Sequence, residues 1–326
     1  MPALPDLPGF LEQHRQSMRF AGAFDGRADW PGRARARMLA ALPPCDGPAM
    51  QVAEGCWRFA TGAGAGGVFL RPDTAPPHPA ILLLHDHGGA FDHGWRKMFD
   101  PRPDPDRHYA GRALGPWLLS QGYAVLCLDA LGWGARQAGE YEGQQALAAN
   151  AMQLGWSLAG IVAAEDLQAA RWLAAQPGIS GVGALGFSFG GFRAWQVAAL
   201  APEIRACVSI SWMARRCGLM APGAPLLRGQ SAFYMLHPSL SGQMDFPDMA
   251  GAGAAKPALF RSGRDDPHMP QAAVAEAYGD LHRIWGPDHA RLDTGFFDGG
   301  HQFGLEQQDE AERFLRRALS RPGCSR

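Results

Sequence analysis

From about residue 80 onward, short apolar runs alternate with longer segments of helical period. Ala80 to Leu84, Ala124 to Leu128, Val182 to Phe187, Ala206 to Ser211 and Ala258 to Ser262 are continuous, apolar and bounded by turn residues, which predicts strands. Between and after them, Tyr109 to Gln121, Leu158 to Gln176, Gly191 to Leu200 and Ala272 to Tyr278 carry apolar residues at helical spacing. Glu306 to Leu319 reads as a charged amphipathic helix. A strand that is apolar on both sides has both faces covered. The alternation therefore predicts an α/β class protein with a mostly parallel central sheet and helices on both faces.

The first fifty residues read differently. A helix is expected from Ala28 to Leu42, ended by Pro43 and Pro44, in what is taken as an N-terminal helical arm over residues 1–50. Residues 51–320 are expected to form the main domain. Gly62-Ala63-Gly64-Ala65-Gly66-Gly67 matches a GxGxxG dinucleotide pattern, but it leads into the strand-like Val68-Phe69-Leu70. A phosphate-binding loop must open a helix, so a hairpin turn is expected instead. Trp212 to Ala255 is irregular and rich in Gly, Pro and Met, the pattern of a lid-like insertion.

Composition narrows the function classes. The 326 residues are 47% apolar, and 30 basic against 31 acidic side chains leave a formal charge of −1. A disordered chain would be less apolar and more charged, and a nucleic-acid binder would carry a basic excess. A globule of this size buries about three quarters of its extended-chain surface, enough for a large core without staples. The six cysteines show no CxxC pair, which argues against a disulfide framework or structural zinc, and Cys127 and Cys207 sit in apolar runs as small hydrophobes. The Pro-containing, charged N-terminus does not read as a secretory signal. The apolar segment from Met152 to Ala164 is too short to span a bilayer, so a cytoplasmic protein without membrane or nucleic-acid partners is expected, with homo-oligomerisation left open. Lys97 and Lys256 are the only lysines, a bias read as compositional.

The candidate chemistry centres on Gly186-Phe187-Ser188-Phe189-Gly190-Gly191, a G-x-S-x-G motif directly after a predicted strand and before a predicted helix. There the serine sits in a strained turn that presents its hydroxyl at the sheet edge, with the N–H groups of a helix start behind it. A serine hydroxyl needs a base, and the base needs an orienting carboxylate. Adjacent aspartates Asp265 and Asp266 follow a predicted strand and Gly263. Only one can serve, and Asp266, just before Pro267, is favoured. His301 follows Gly299 and Gly300 and comes last in chain order. It is preferred over His268, His282 and His289, with Asp298 bracing its loop. Oxyanion donors are expected from the backbone N–H of Phe189 and from that of His87, or alternatively Gly88, in the turn His85-Asp86-His87-Gly88-Gly89. His85, His87 and His93 do not have the spacing of a dinuclear zinc site, and neither metal nor cofactor is expected.

Together the elbow, the Gly263 to Pro270 loop, the Asp298 to His301 loop and the His85 to Gly89 turn resemble the α/β-hydrolase superfamily. Within it the chain is similar to the dienelactone hydrolase and acetyl xylan esterase-like branch, over about residues 50 to 320. Asp129 to Arg136 after a strand adds to the likeness. Asp86 departs from it, standing where many relatives carry glycine. The resemblance implies an α/β-hydrolase fold and a serine esterase acting on a small-molecule carboxylic ester, with small acyl groups on a carbohydrate or similar polyol as candidates. Trp95, Trp133 and Trp212, with Phe233 and Tyr234, are candidate pocket residues. A lactone hydrolase or peptidase is the alternative enzyme, although prolyl oligopeptidase-type peptidases carry a propeller domain for which this length has no room. A binding protein on a degenerate scaffold is the non-enzyme alternative, but no triad member is missing.

Overall fold

The computed structural model describes residues 7–44, 46–59, 64–100, 108–137, 139–221, 230–286 and 291–320. Cys45, Gly62, Ala63, His289 and Cys324 lie outside them. A nine-stranded sheet runs in the order β1-β2-β3-β5-β4-β6-β7-β8-β9. Its strands are β1 (Ala49–Ala53), β2 (Cys56–Phe59), β3 (Gly66–Leu70), β4 (His78–Leu84), β5 (Ala124–Leu128), β6 (Ile179–Phe187), β7 (Ile204–Ile210), β8 (Ala258–Gly263) and β9 (Leu292–Phe297). From β5 to β9 every pairing is parallel, while β1, β2 and β3 join antiparallel at one edge. The five predicted strands are all present. Of the Gly-rich segment, Gly66 and Gly67 open β3, which pairs antiparallel with β2, and no helix follows them.

The apolar runs are continuous because alternate residues feed two separate cores. On one face Leu82, Leu84, Leu126 and Leu128 pack beneath helices α2 (Trp30–Ala40), α5 (Leu158–Ala174), α6 (Phe189–Leu200) and α9 (Gln271–Trp285). On the other, Ile81, Leu83, Val125 and Cys127 pack under α3 (Leu114–Ser120) and α10 (Leu305–Ser320). Cys127 and Cys207 are free and buried, and burial pushes both thiols well above their ordinary range.

Several boundaries depart from the sequence expectation. Helix α3 starts at Leu114 rather than Tyr109, because Ala110 and Gly111 adopt left-handed φ values of 50° and 73° that end any helix there. The apolar segment around Met152 is broken between α4 (Glu140–Gln153) and α5, where Ser157 caps α5 by accepting the Gly160 N–H at 3.0 Å. Among the described residues no single helix is long and apolar enough to cross a membrane. The bent pair α4 and α5, at 88°, passes that test only jointly.

The arm does not stand apart from the rest. After α1 (Gly9–Ser17), which buries no residue, α2 inserts Trp30, Ala34 and Met38 into the first core. The Phe24 N–H donates to Asp248 Oδ1 at 2.9 Å, linking the arm to the 212–255 insertion. That insertion contains α7 (Arg216–Leu219) and α8 (Phe246–Gly251), and its Trp212, Tyr234 and Phe246 are buried.

Candidate active site

Strand β6 ends at Phe187 and α6 begins at Phe189, which leaves Ser188 as the single residue of the turn. Its backbone is at φ 55°, ψ −125°, a conformation that costs a non-glycine residue on the order of 1–3 kcal/mol and persists only where the surroundings enforce it. Here the enforcement is close packing. A Cβ on Gly186 would lie 2.1 Å from Gly190 O, and one on Gly190 would lie 1.9 Å from Leu84 O. Only glycines let β6, α6 and β4 approach this closely. The Ser188 N–H donates to Ile210 O of β7 at 2.9 Å, which holds the turn at the C-terminal edge of the parallel strands.

His301 and Asp266 arrive at this edge on the loops after β9 and β8. His301 Nε2 is 2.8 Å from Ser188 Oγ and His301 Nδ1 is 2.7 Å from Asp266 Oδ2. An ionised carboxylate can only accept, so Nδ1 carries the proton and Nε2 is left as the acceptor facing the serine hydroxyl. The Asp266 side chain is fully buried, and its other oxygen accepts the His268 N–H at 2.8 Å. Asp265 is exposed and contributes only its backbone N–H, donated to Gly299 O at 3.0 Å. Of the two aspartates, the structure thus joins Asp266 to the histidine. Asp298 is exposed and accepts from Arg264 Nε at 3.1 Å, tying the two loops together.

The turn after β4 lies beside the elbow. The Ala130 N–H donates to His85 Nε2 at 3.0 Å, and His85 Nδ1 donates to Asp86 O at 2.8 Å. Burial holds His85 well below the ordinary imidazole range. His87 Nε2 pairs with Gln144 Oε1 at 3.0 Å, and burial pushes this imidazole down to about 4. His93 turns elsewhere, to Asp100 O. The three histidines do not converge, and among the described residues no group of three or more His, Cys, Asp or Glu is placed to hold a metal ion.

The predicted pocket aromatics are placed in three different settings. Trp95 lines a cavity of about 370 Å³ with Trp57, Arg58, Asp129 and Arg136, whose lining does not include Ser188. Trp133 is fully buried, stacked on Phe189 with ring centroids 5.6 Å apart, and its indole N–H donates to His87 O at 3.3 Å. Trp212 is buried in a cluster with Phe192, Trp195 and Phe246. Trp133 and Trp212 are therefore interior residues of the first core in this structure, not exposed pocket walls.

Other neighbours were not read from the sequence. The His268 ring meets His301 edge-on at 4.7 Å. Lys97 and Tyr109 are buried against Asp86. Burial by itself raises the Asp86 carboxyl, but the Lys97 charge and the Tyr109 hydroxyl overcome it and hold it at about 2. The one available signal was the rarity of lysine in an arginine-rich chain. Both lysines are carbonyl clamps, for Lys256 Nζ donates to Ala198 O and Ala201 O at the end of α6.

Known proteins share this arrangement of elements. The chain is 25% identical over 224 residues to the Bacillus subtilis (strain 168) protein YtaP, whose name places it among the hydrolases, covering 67% of this chain and 70% of that one. A Bacteroides fragilis NCTC 9343 protein described as an acetyl xylan esterase superposes with TM-score 0.68 at 18% identity, covering 89% of this chain and 81% of the other. A glucuronoyl esterase from Caldicellulosiruptor kristjansonii superposes with TM-score 0.65 at 15% identity, over 95% and 92% of the two chains. Likeness at such identities establishes the shared α/β-hydrolase fold. Residues 109–312 match the dienelactone hydrolase family. That region spans more than half of the chain and contains Ser188, Asp266 and His301, so this protein is a hydrolase belonging to the dienelactone hydrolase family.

Proposed function

We propose that the protein is a serine esterase that cleaves carboxylic esters through an acyl-enzyme. The observation that carries this reading is the hydrogen-bonded series from Ser188 Oγ to His301 Nε2 at 2.8 Å and from His301 Nδ1 to Asp266 Oδ2 at 2.7 Å. In the proposed reaction His301 takes the Ser188 proton as Oγ adds to the ester carbonyl. Asp266 keeps Nδ1–H in place and offsets the charge of the resulting imidazolium. The Phe189 N–H, among the first of α6 and without an intrahelical acceptor, and the His87 N–H receive the developing oxyanion. His301 then gives its proton to the departing alkoxide, leaving the acyl group on Ser188. Water, deprotonated by His301, attacks the acyl carbon, and collapse of this second tetrahedral species frees the acid and restores Ser188.

The substrate we assign is a small acyl ester on a carbohydrate or similar polyol. The names of the acetyl xylan and glucuronoyl esterases that share the fold support this class. A lactone is the second reading, favoured by the family match. Hydrolysis of p-nitrophenyl acetate, butyrate and octanoate, of an acetylated xylo-oligosaccharide and of a dienelactone separates these readings. Wild type is expected to prefer acetyl esters, and Ser188→Ala to lose about 10⁴-fold or more in kcat. A fluorophosphonate should label wild type and not the variant. A fully active Ser188→Ala enzyme, or a wild type inert on every ester, would overturn the proposal.

A further inference from the structure

The two peptides that follow Asp86 and His87 have their carbonyls turned toward one buried ammonium. Lys97 Nζ donates to Asp86 O at 2.7 Å and to His87 O at 3.1 Å, and it lies 3.4 Å from Asp86 Oδ2. Both side chains are almost wholly removed from solvent. In a trans peptide the C=O and the following N–H point in opposite directions. The N–H groups of His87 and Gly88 therefore face away from Lys97. Two further donors pull on the same oxygen, since His87 O also accepts the Gly89 N–H at 2.7 Å and the Trp133 indole N–H at 3.3 Å.

The counter-ion reaches further across the site. Asp86 Oδ1 accepts the Tyr109 hydroxyl at 2.5 Å. Gln308 Nε2 donates to Tyr109 O at 2.9 Å and to Phe303 O at 2.6 Å, and the Phe303 N–H donates to His108 O at 2.6 Å. Phe303 is two residues past His301. A continuous set of hydrogen bonds thus joins the turn after β4 to the loop that carries the histidine.

Resting on the serine-esterase reading above, we propose that Lys97 is a positioning residue that orients the His87 N–H as the second oxyanion donor. In this arrangement Asp86 is its counter-ion and Tyr109 registers the turn against the His301 loop. The departure at Asp86 then has a physical reason. A carboxylate in place of glycine neutralises the ammonium that holds the carbonyls, which burial would otherwise make too costly. The choice of lysine has one too. A compact ammonium directs three donors at converging oxygens, which a planar guanidinium cannot do, and elsewhere this chain uses arginine for every cation except Lys256.

The test uses the full-length chain with p-nitrophenyl acetate as substrate and a trifluoromethyl ketone as probe, since the ketone forms a tetrahedral oxyanion adduct on an active serine. For Lys97→Met we expect kcat to fall about 10²- to 10³-fold with KM within about 3-fold. The inhibition constant of the ketone should rise by a factor that tracks the loss in kcat/KM. Lys97→Arg should recover little of this, and Tyr109→Phe, which removes one hydroxyl, should lower kcat about 3- to 10-fold in the same pattern. Lys256→Met, at the far end of α6, should lower the thermal midpoint and leave kcat unchanged. A folded Lys97→Met with near wild-type kcat, or with kcat lost and ketone affinity retained, overturns the proposal. If Lys97→Met does not fold, Tyr109→Phe decides, and an unchanged kcat there overturns it. Failure of the underlying esterase reading is distinct, because then wild type itself neither hydrolyses the ester nor binds the ketone.

Discussion

Gly263 lies flat against Gly300: a Cβ on Gly263 would come within 2.3 Å of Gly300 O and 2.4 Å of Gly299 O. The last residue of β8 and the turn before His301 therefore pack backbone to backbone. This contact sets the distance between the Asp266 loop and the His301 loop. Gly263→Ala must push the loops apart, and displacements of about 1 Å at a reacting group cost on the order of 10²-fold. We expect that loss in kcat together with a lowered thermal midpoint, since the atoms that must give way are backbone. Gly300→Ala, whose nearest contact would be an ordinary 3.6 Å, should stay within about 3-fold of wild type in the same assay.

The two adjacent aspartates should separate kinetically. Asp266 accepts from His301 and from the His268 N–H, whereas the Asp265 side chain is exposed. Asp266→Asn presents an amide that can stabilise the wrong imidazole tautomer, so kcat should fall by about 10³- to 10⁴-fold. Asp265→Asn should change it by less than about 3-fold. Steady-state hydrolysis of p-nitrophenyl acetate checks the ranking, and the reverse order would show that the histidine takes its orientation from the other carboxylate.

Beneath the elbow, Arg193 of α6 holds Asp166 of α5 through two bonds, Nε to Oδ2 at 2.9 Å and Nη2 to Oδ1 at 2.7 Å, with both side chains buried. Removing one partner leaves an uncompensated buried charge, a loss of about 3–5 kcal/mol. Arg193→Met alone should lower the melting temperature by roughly 10 °C, while the double variant with Asp166→Leu should regain most of it. Calorimetry of the three proteins measures this. Equal destabilisation by the single and double variants would refute a charge-based cost.

Acid should weaken the fold through buried neutral histidines. His237 Nε2–H donates to Gln196 Oε1 at 2.9 Å and its Nδ1 accepts from Ser157 Oγ at 3.4 Å, with burial pushing the imidazole down to about 3. Because the folded value lies below the unfolded one near 6.5, the unfolded chain binds the proton more readily. The contribution is complete above about pH 6.5 and is lost as pH falls from there toward the folded value. The stability difference between wild type and His237→Gln should shrink by at most about 3 kcal/mol between pH 7 and pH 4. Urea unfolding at several pH values tests this, and a pH-independent difference would contradict it.

Local signals sufficed for the parts of this protein that depend on periodicity and turn chemistry. The strands β4 to β8 were legible because their runs are apolar on both sides. The elbow was legible because close approach at Gly186 and Gly190 admits no other residue. The order of Ser188, Asp266 and His301, each just beyond a strand, was legible as well. Weakly patterned elements escaped notice. Four of the five residues of β1 are exposed, β9 carries Thr294 and Gly295, and α4 mixes polar residues with alanines and buries only Gln144, Ala148 and Ala151.

What only the tertiary structure decided was which side chains meet across long stretches of chain. Asp86, a misfit as part of a sequence pattern, becomes the counter-charge of Lys97 once β4 and the turn at Gly94–Met98 are packed together. Trp133 and Trp212 read as pocket walls in the sequence, whereas in the fold both pack into the first core. Asp265 and Asp266 differ by one step along the chain, and only the packing of β8 against β9 turns one inward and leaves the other in water. Helical and strand periods are properties of neighbouring residues, whereas burial and charge pairing are properties of a three-dimensional arrangement. The sequence therefore determined the elements and the candidate nucleophile, and the fold determined what surrounds it.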